Sequence, residues 1–405
     1  MARFSGLTSG LITSHTARDE HFSTTYFLQA LAITVTLLIL VRHRSLVLRL
    51  QVALWFTGVT LLMLRSGVGM QLSFYSNDQQ HYAAMLRILA FEEWPRDAFW
   101  WTEFSKFPYP LAALPLQLLG VHGTLALKSV SLVCLLILTQ SLLNRYPNWH
   151  LKRQALTVFL TGCGLIGSFF SVLVLRETMM MLLVFRFTTS TAATGRVVSL
   201  ALLGFLRPHL AAALLAAEII VAIRDWTMRR RSVYAGEIAL LLVIGVVVGD
   251  LLFHFRLGGF DDLKIPLSDG WGMLESNQFL SNYFGLQFMA QGEWNVRLSV
   301  STLWLTRVIF SETVIIPMLF TFTCIFTSRH MSNRHRLAFI TFAIYCSIVI
   351  RTEFNSFRQN IPLMPIMGMV VLDAISKHVE SRASRTWQPE SQGWDTRADS
   401  PVHLP

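Results

Sequence analysis

The residues best equipped for chemistry in this 405-residue chain fall in one polar stretch between apolar runs, Tyr75-Ser76-Asn77-Asp78-Gln79-Gln80-His81-Tyr82. Its pattern predicts a short amphipathic helix at the outer membrane surface, opened by Asp78, with His81 and Tyr82 one turn on along the same face. Two readings of the carboxylate fit this spacing. Asn77 or Asp78 is a helix N-cap, or Asp78 is a general base that takes the proton of an acceptor hydroxyl. In the second case desolvation in a partly dry cavity raises its basicity.

Further candidates interrupt or border apolar runs, where ionisable side chains are costly and by default functional. Arg176-Glu177 directly follows one run. It reads either as an interfacial ion pair or as an arginine turned inward to bind an anion. Arg207-Pro208-His209 breaks another run, because proline removes a backbone donor, and broken helices are tolerated in membranes where they line a cavity. Arg207 is therefore a phosphate candidate, with a snorkelling arginine as the plain alternative. Arg358 lies four residues before Pro362 and offers the same bidentate donor fork. Asp261, Asp262 and Asp269 leave a divalent metal open as a cofactor, although Gly258-Gly259-Phe260-Asp261-Asp262 is also ordinary turn chemistry. Trp94, Trp100 and Trp101 read as interfacial anchors. No Gly-rich phosphate loop, HExxH or GxSxG stands in a suitable context.

Composition says what must position these groups. The chain is 53% hydrophobic and 14% charged, against about 25% charged in soluble domains, and its mean hydropathy is +0.49. Such a chain belongs in a lipid bilayer. Its net charge of +10 sits in short basic clusters between apolar runs, as in membrane-protein loops, and nothing suggests a nucleic-acid partner. The four cysteines (Cys134, Cys163, Cys324 and Cys346) all lie in apolar segments without metal or disulfide spacing. No cleaved signal peptide is read at the N-terminus.

Apolar runs at 26–41, 46–64, 124–143, 155–175, 178–185, 197–206, 209–223, 234–253, 303–326, 337–350 and 361–375 predict an all-α polytopic bundle of about ten spans. Some of these helices are broken. The proline-bearing run 107–121 is expected to re-enter rather than cross. Placing the basic clusters 42–49, 145–153, 224–231 and 329–336 on the cytoplasmic side puts the loops 65–106 and 256–300 outside. A polar segment 1–24 precedes the membrane domain 25–375, and a disordered cytoplasmic tail 376–405 follows it.

Four places resemble the GT-C superfamily of integral-membrane glycosyltransferases. Ser76-Asn77-Asp78 through Tyr82 resembles the acidic motif of their first external loop. Phe107-Pro108-Tyr109-Pro110 resembles the return into the membrane. Leu175-Arg176-Glu177 resembles an Arg-acid motif at a span's outer end, and Arg358 through Pro362 an Arg-x-x-x-Pro helix start. The resemblance covers roughly residues 46–375. It implies a polyprenyl-phosphate sugar donor, a glycan or lipid-linked acceptor, Asp78 as catalytic base and Arg358 on the donor phosphate. His81, Tyr82, Arg176, Glu177, Arg207 and His209 are the remaining substrate-binding candidates. The chain departs from the pattern in an extra apolar span before the acidic loop, in lacking a large soluble C-terminal domain, and in having no second carboxylate close to Asp78. Two rival expectations are a polysaccharide polymerase or ligase that depends on Arg207, His209 and Arg358, and a transporter or lipid flippase. The membrane is a cell inner or plasma membrane, or the endoplasmic reticulum.

Overall fold

The computed structural model describes residues 24–66, 76–92, 106–146, 151–227, 300–327, 332–351 and 360–386, and every regular element among them is helical. In order these are α1 (Thr24–Val41), α2 (Leu46–Ser66), α3 (Ser76–Leu89), α4 (Pro108–Leu118), α5 (Gly123–Arg145), α6 (Leu151–Leu160), α7 (Leu165–Val172), α8 (Glu177–Thr189), α9 (Ala193–Leu206), α10 (Pro208–Thr227), α11 (Val300–Thr327) and α12 (Asn333–Arg351). A 3-10 turn, Ile361–Leu363, leads into α13 (Met364–Thr386). The expected span 234–253, residues 256–299 of the second loop with its aspartates, the tryptophans at 94, 100 and 101, and Arg358 lie outside the described residues.

Among the described residues three helices are long and apolar enough to cross a membrane: α1, residues 46–64 of α2, and α5. A fourth crossing arises if α6 and α7, bent by 63° at their junction, count as one span. The α5 helix has 23 residues, about 35 Å at 1.5 Å per residue, which exceeds a hydrocarbon core of about 30 Å. It is 72% buried against 17% for α1, so α5 is the central post and α1 stands on the rim. The sequence of α1 explains this placement: it turns Tyr26, Ala30 and Thr34 inward and leaves Leu28, Val35 and Ile39 exposed, an apolar face fit for lipid.

Polar ties gather the helix ends into two levels. At one, Ser45 Oγ donates to Gln154 Oε1 (2.8 Å) and Asp373 accepts hydrogen bonds from Tyr146 (2.6 Å), His335 (3.0 Å) and Arg145 (3.3 Å). Ser45, Arg145 and His335, one from each of three basic clusters, thereby mark one side of the bundle. At the other, Gln29 Nε2 donates to Gly120 O and Gln117 Nε2 to Glu92 Oε1. Helices α8 and α9 form a hairpin between the levels.

Glycine chemistry makes the α6–α7 bend. Gly162 N donates to Phe159 O and Cys163 N to Val158 O, a Schellman ending in which Gly162 takes φ +68° without the penalty a side chain would bring. The apolar run 155–175, read as one span, is therefore two helices. Two other expectations are corrected. The α3 helix does not ride on the surface: Gln79 and Tyr82 through Leu86 are buried where it packs on α4 and α5. The segment 376–386, assigned to a disordered tail, continues α13 as helix to Thr386, because Lys377, Glu380, Arg382 and Ala383 are good helix formers that need no burial.

Candidate functional site

The start of α3 is pinned to the turn between α7 and α8. Gln79, fully buried, accepts a hydrogen bond from Val174 N through Oε1 (3.2 Å). This sets the backbone of Asp78 beside the residues that lead into Arg176 and Glu177. The Asp78 side chain lies outside the described residues. On the next turn Tyr82, 2% exposed, meets Tyr109 edge to face at 5.3 Å, and the half-buried His81 sits against Tyr82 at 6.2 Å.

Tyr109 carries the same contact inward. Its hydroxyl lies 2.8 Å from Ser131 Oγ and 3.0 Å from Leu127 O, while Ser131 Oγ donates to Leu175 O (3.1 Å). The 11-residue α4 helix thus packs its tyrosine end into the bundle against α5.

Arg176 precedes α8, half-buried, and Glu177 opens it, fully buried. Glu177 Oε1 lies 3.8 Å from Nη2 of Arg207. Arg207 is itself 3% exposed, so it is no snorkelling residue. It occupies the break between α9 and α10 at φ −155°, ψ 85°, held out of the helical region by Pro208, whose ring disfavours helix in the preceding residue. The freed groups are satisfied locally: Arg207 N donates to Leu203 O, and its carbonyl receives Leu210 and Ala211. Arg207 Nη1 also donates to the Tyr345 hydroxyl (3.2 Å), and the Tyr345 ring stacks on His209 at 5.7 Å with 8° between planes.

Of the predicted residues, Arg176, Glu177, Arg207 and His209 therefore converge from the ends of three helices, with the start of α3 alongside. Arg358 is undescribed, but Asn360, two residues on, is buried, and the 3-10 turn after it packs against α8. Among the described residues no three His, Cys, Asp or Glu side chains are grouped to hold a metal ion.

Three residues escaped the sequence reading. Tyr345 is buried at the centre of the Arg207–His209 contact. Lys128, fully buried on α5, lies one turn from Ser131. Glu312 acts at the far end of α7: its Oε1 accepts from Leu165 N (2.8 Å) and its Oε2 from Ile166 N (3.0 Å), so a carboxyl group from α11 caps α7. The signal for Lys128 and Glu312 was an ionisable side chain within an apolar run, and for Tyr345 a phenol that needs a partner when buried. Glu312→Ala should strand the buried Ile166 N–H and the part-buried Leu165 N–H, and unfolding in detergent should show a loss of about 2 kcal/mol. Wild-type stability in that variant would show that the cap does not form.

Comparison with family models, with curated proteins and with solved structures returns no match.

Proposed function

We propose that the chain is a GT-C-type membrane glycosyltransferase that moves a sugar from a polyprenyl-phosphate donor to an acceptor hydroxyl on the external face. One observation carries the reading. Buried ionisable side chains gather at the outer ends of helices beside the start of α3, although such groups are expensive in a bilayer and persist where they serve a site. In this proposal the shorter apolar helices complete about ten crossings, and the loops 65–106 and 256–300 face the periplasm or lumen.

The chemistry is a single displacement. Asp78 takes the proton as the acceptor oxygen attacks the anomeric carbon. The carbon–oxygen bond to phosphate breaks with inversion, and its electron pair leaves on the polyprenyl phosphate. Arg207 already engages Glu177 and Tyr345, so it serves as a positioning residue. Arg176 and Arg358 hold the phosphate and stabilise its charge as it departs. His81, Tyr82 and His209 line the sugar and acceptor side.

Asp78→Asn keeps the size and capping ability of the side chain and removes its basicity. The variant should fold and lose about 100-fold or more of its transfer rate. Full transfer by a folded Asp78→Asn protein would leave Asp78 as a helix cap only.

A further inference from the structure

At the opposite level of the bundle, a groove of about 370 Å³ opens between the C-terminal turns of α5 and α8, lined by Ser141, Arg145, Phe185, Arg186, Thr189 and Ser190. Two guanidinium groups in one groove are more than local structure requires. Arg145 gives one N–H to Asp373, a carboxylate that His335 and Tyr146 also satisfy, and a guanidinium carries five donors in all. Arg186 is exposed and has no ion pair among the described residues. The carbonyl ends of two helices explain part of this charge, since cations favour helix C-termini. That field is spent within the last turn and leaves the donor forks open. The hydroxyls are already engaged, with Ser141 donating to Ile137 O, Thr189 to Phe185 O and Ser190 to Ala192 O. Recognition therefore falls to the arginines, and their fork geometry suits phosphate.

What leads up to the groove says where that phosphate comes from. On successive turns of α5, Val133 (39% exposed) and Ile137 (47% exposed) precede Ser141 and Arg145. An apolar stripe on a spanning helix thus ends in a hydroxyl and then a guanidinium, at the level where the basic clusters gather. An acyl chain along Val133 and Ile137 would deliver its headgroup to Arg145 and Arg186. Basic pockets between helices on this side of a membrane hold anionic headgroups.

We propose that this groove is a binding site for the phosphodiester headgroup of an anionic glycerophospholipid. The site is separate from the one assigned to sugar transfer and does not depend on that assignment.

The test uses the full-length protein, delipidated in detergent and titrated with phosphatidylglycerol or phosphatidylcholine, with bound lipid counted by native mass spectrometry. Phosphatidylglycerol should bind more tightly. Arg186→Gln should weaken it about 5-fold, the worth of one arginine near a headgroup, and leave phosphatidylcholine unchanged. Arg186 is exposed, so this variant folds, whereas Arg145→Gln also loosens Asp373 and serves only as a second check. Millimolar inorganic phosphate should not displace the lipid. Equal binding of the two lipids, or an unchanged affinity in Arg186→Gln, would overturn the proposal. Displacement by free phosphate would also overturn it, in favour of a site for a soluble phosphate.

Discussion

Replacing Gly368 with alanine is expected to unfold this protein more readily than any other single methyl group added at a described glycine. The reason is a backbone crossing. A Cβ at Gly368 on α13 would land inside the contact distance of the Leu160 carbonyl, with Leu160 C and, at 2.8 Å, Thr161 Cα behind it. These obstacles belong to the main chain of α6 at the point where it bends toward α7, so no side-chain rotamer relieves them. Overpacking a dense interior costs about 1–3 kcal/mol, and a main-chain obstacle puts Gly368→Ala at about 3 kcal/mol or above. The bend that aims α7 at the site would be lost with it. Gly204→Ala is the control. Nothing lies within 4 Å of its added methyl, and alanine favours helix by up to about 1 kcal/mol. Thermal unfolding in detergent, followed by tryptophan fluorescence, should separate the two variants widely. Equal midpoints would mean that α6 and α13 do not cross at Gly368.

The second large effect concerns Glu177 and Arg207. Both side chains are almost completely withdrawn from solvent, at 0% and 4% exposure. Removing either partner breaks a buried ion pair, which costs about 3–5 kcal/mol. Glu177→Gln and Arg207→Met should each destabilise strongly, while the double variant, which removes both charges of the pair, should regain most of the loss. A coupling of that size across residues 30 positions apart requires the contact. Strictly additive effects would show that the pair is not made. Arg207→Met should also release Tyr345 and His209, so any activity should fall with stability in the single variants and return only partly in the double one.

Much of the helical framework was legible because its signals are local. A proline after Arg207 marks the break between α9 and α10, the prolines of 107–121 mark a helix too short to cross, and Ser76-Asn77-Asp78 marks a helix start. The 161–164 turn was legible in principle, since Gly162 and Gly164 interrupt a run otherwise read as continuous, but apolar neighbours masked them. Residues 376–386 differ from the expected disorder because they are polar and helix-forming at once. The site was legible only as separate residues. Glu177 with Arg207, Arg207 with Tyr345, Glu312 with α7 and Gln79 with Val174 join positions tens to more than a hundred residues apart, and no spacing rule reaches across such distances. Lys128 went unremarked for another reason: one lysine hardly alters the hydropathy of a 23-residue helix, although burying it there is costly.

The most direct test of the account is sugar transfer by wild-type protein in purified membranes, supplied with a panel of radiolabelled polyprenyl-phosphate sugars. The account predicts transfer from at least one donor, with inversion at the anomeric carbon and release of polyprenyl phosphate. Absence of transfer from every donor, by protein shown to be folded, would contradict it and turn the buried charges toward a transport path.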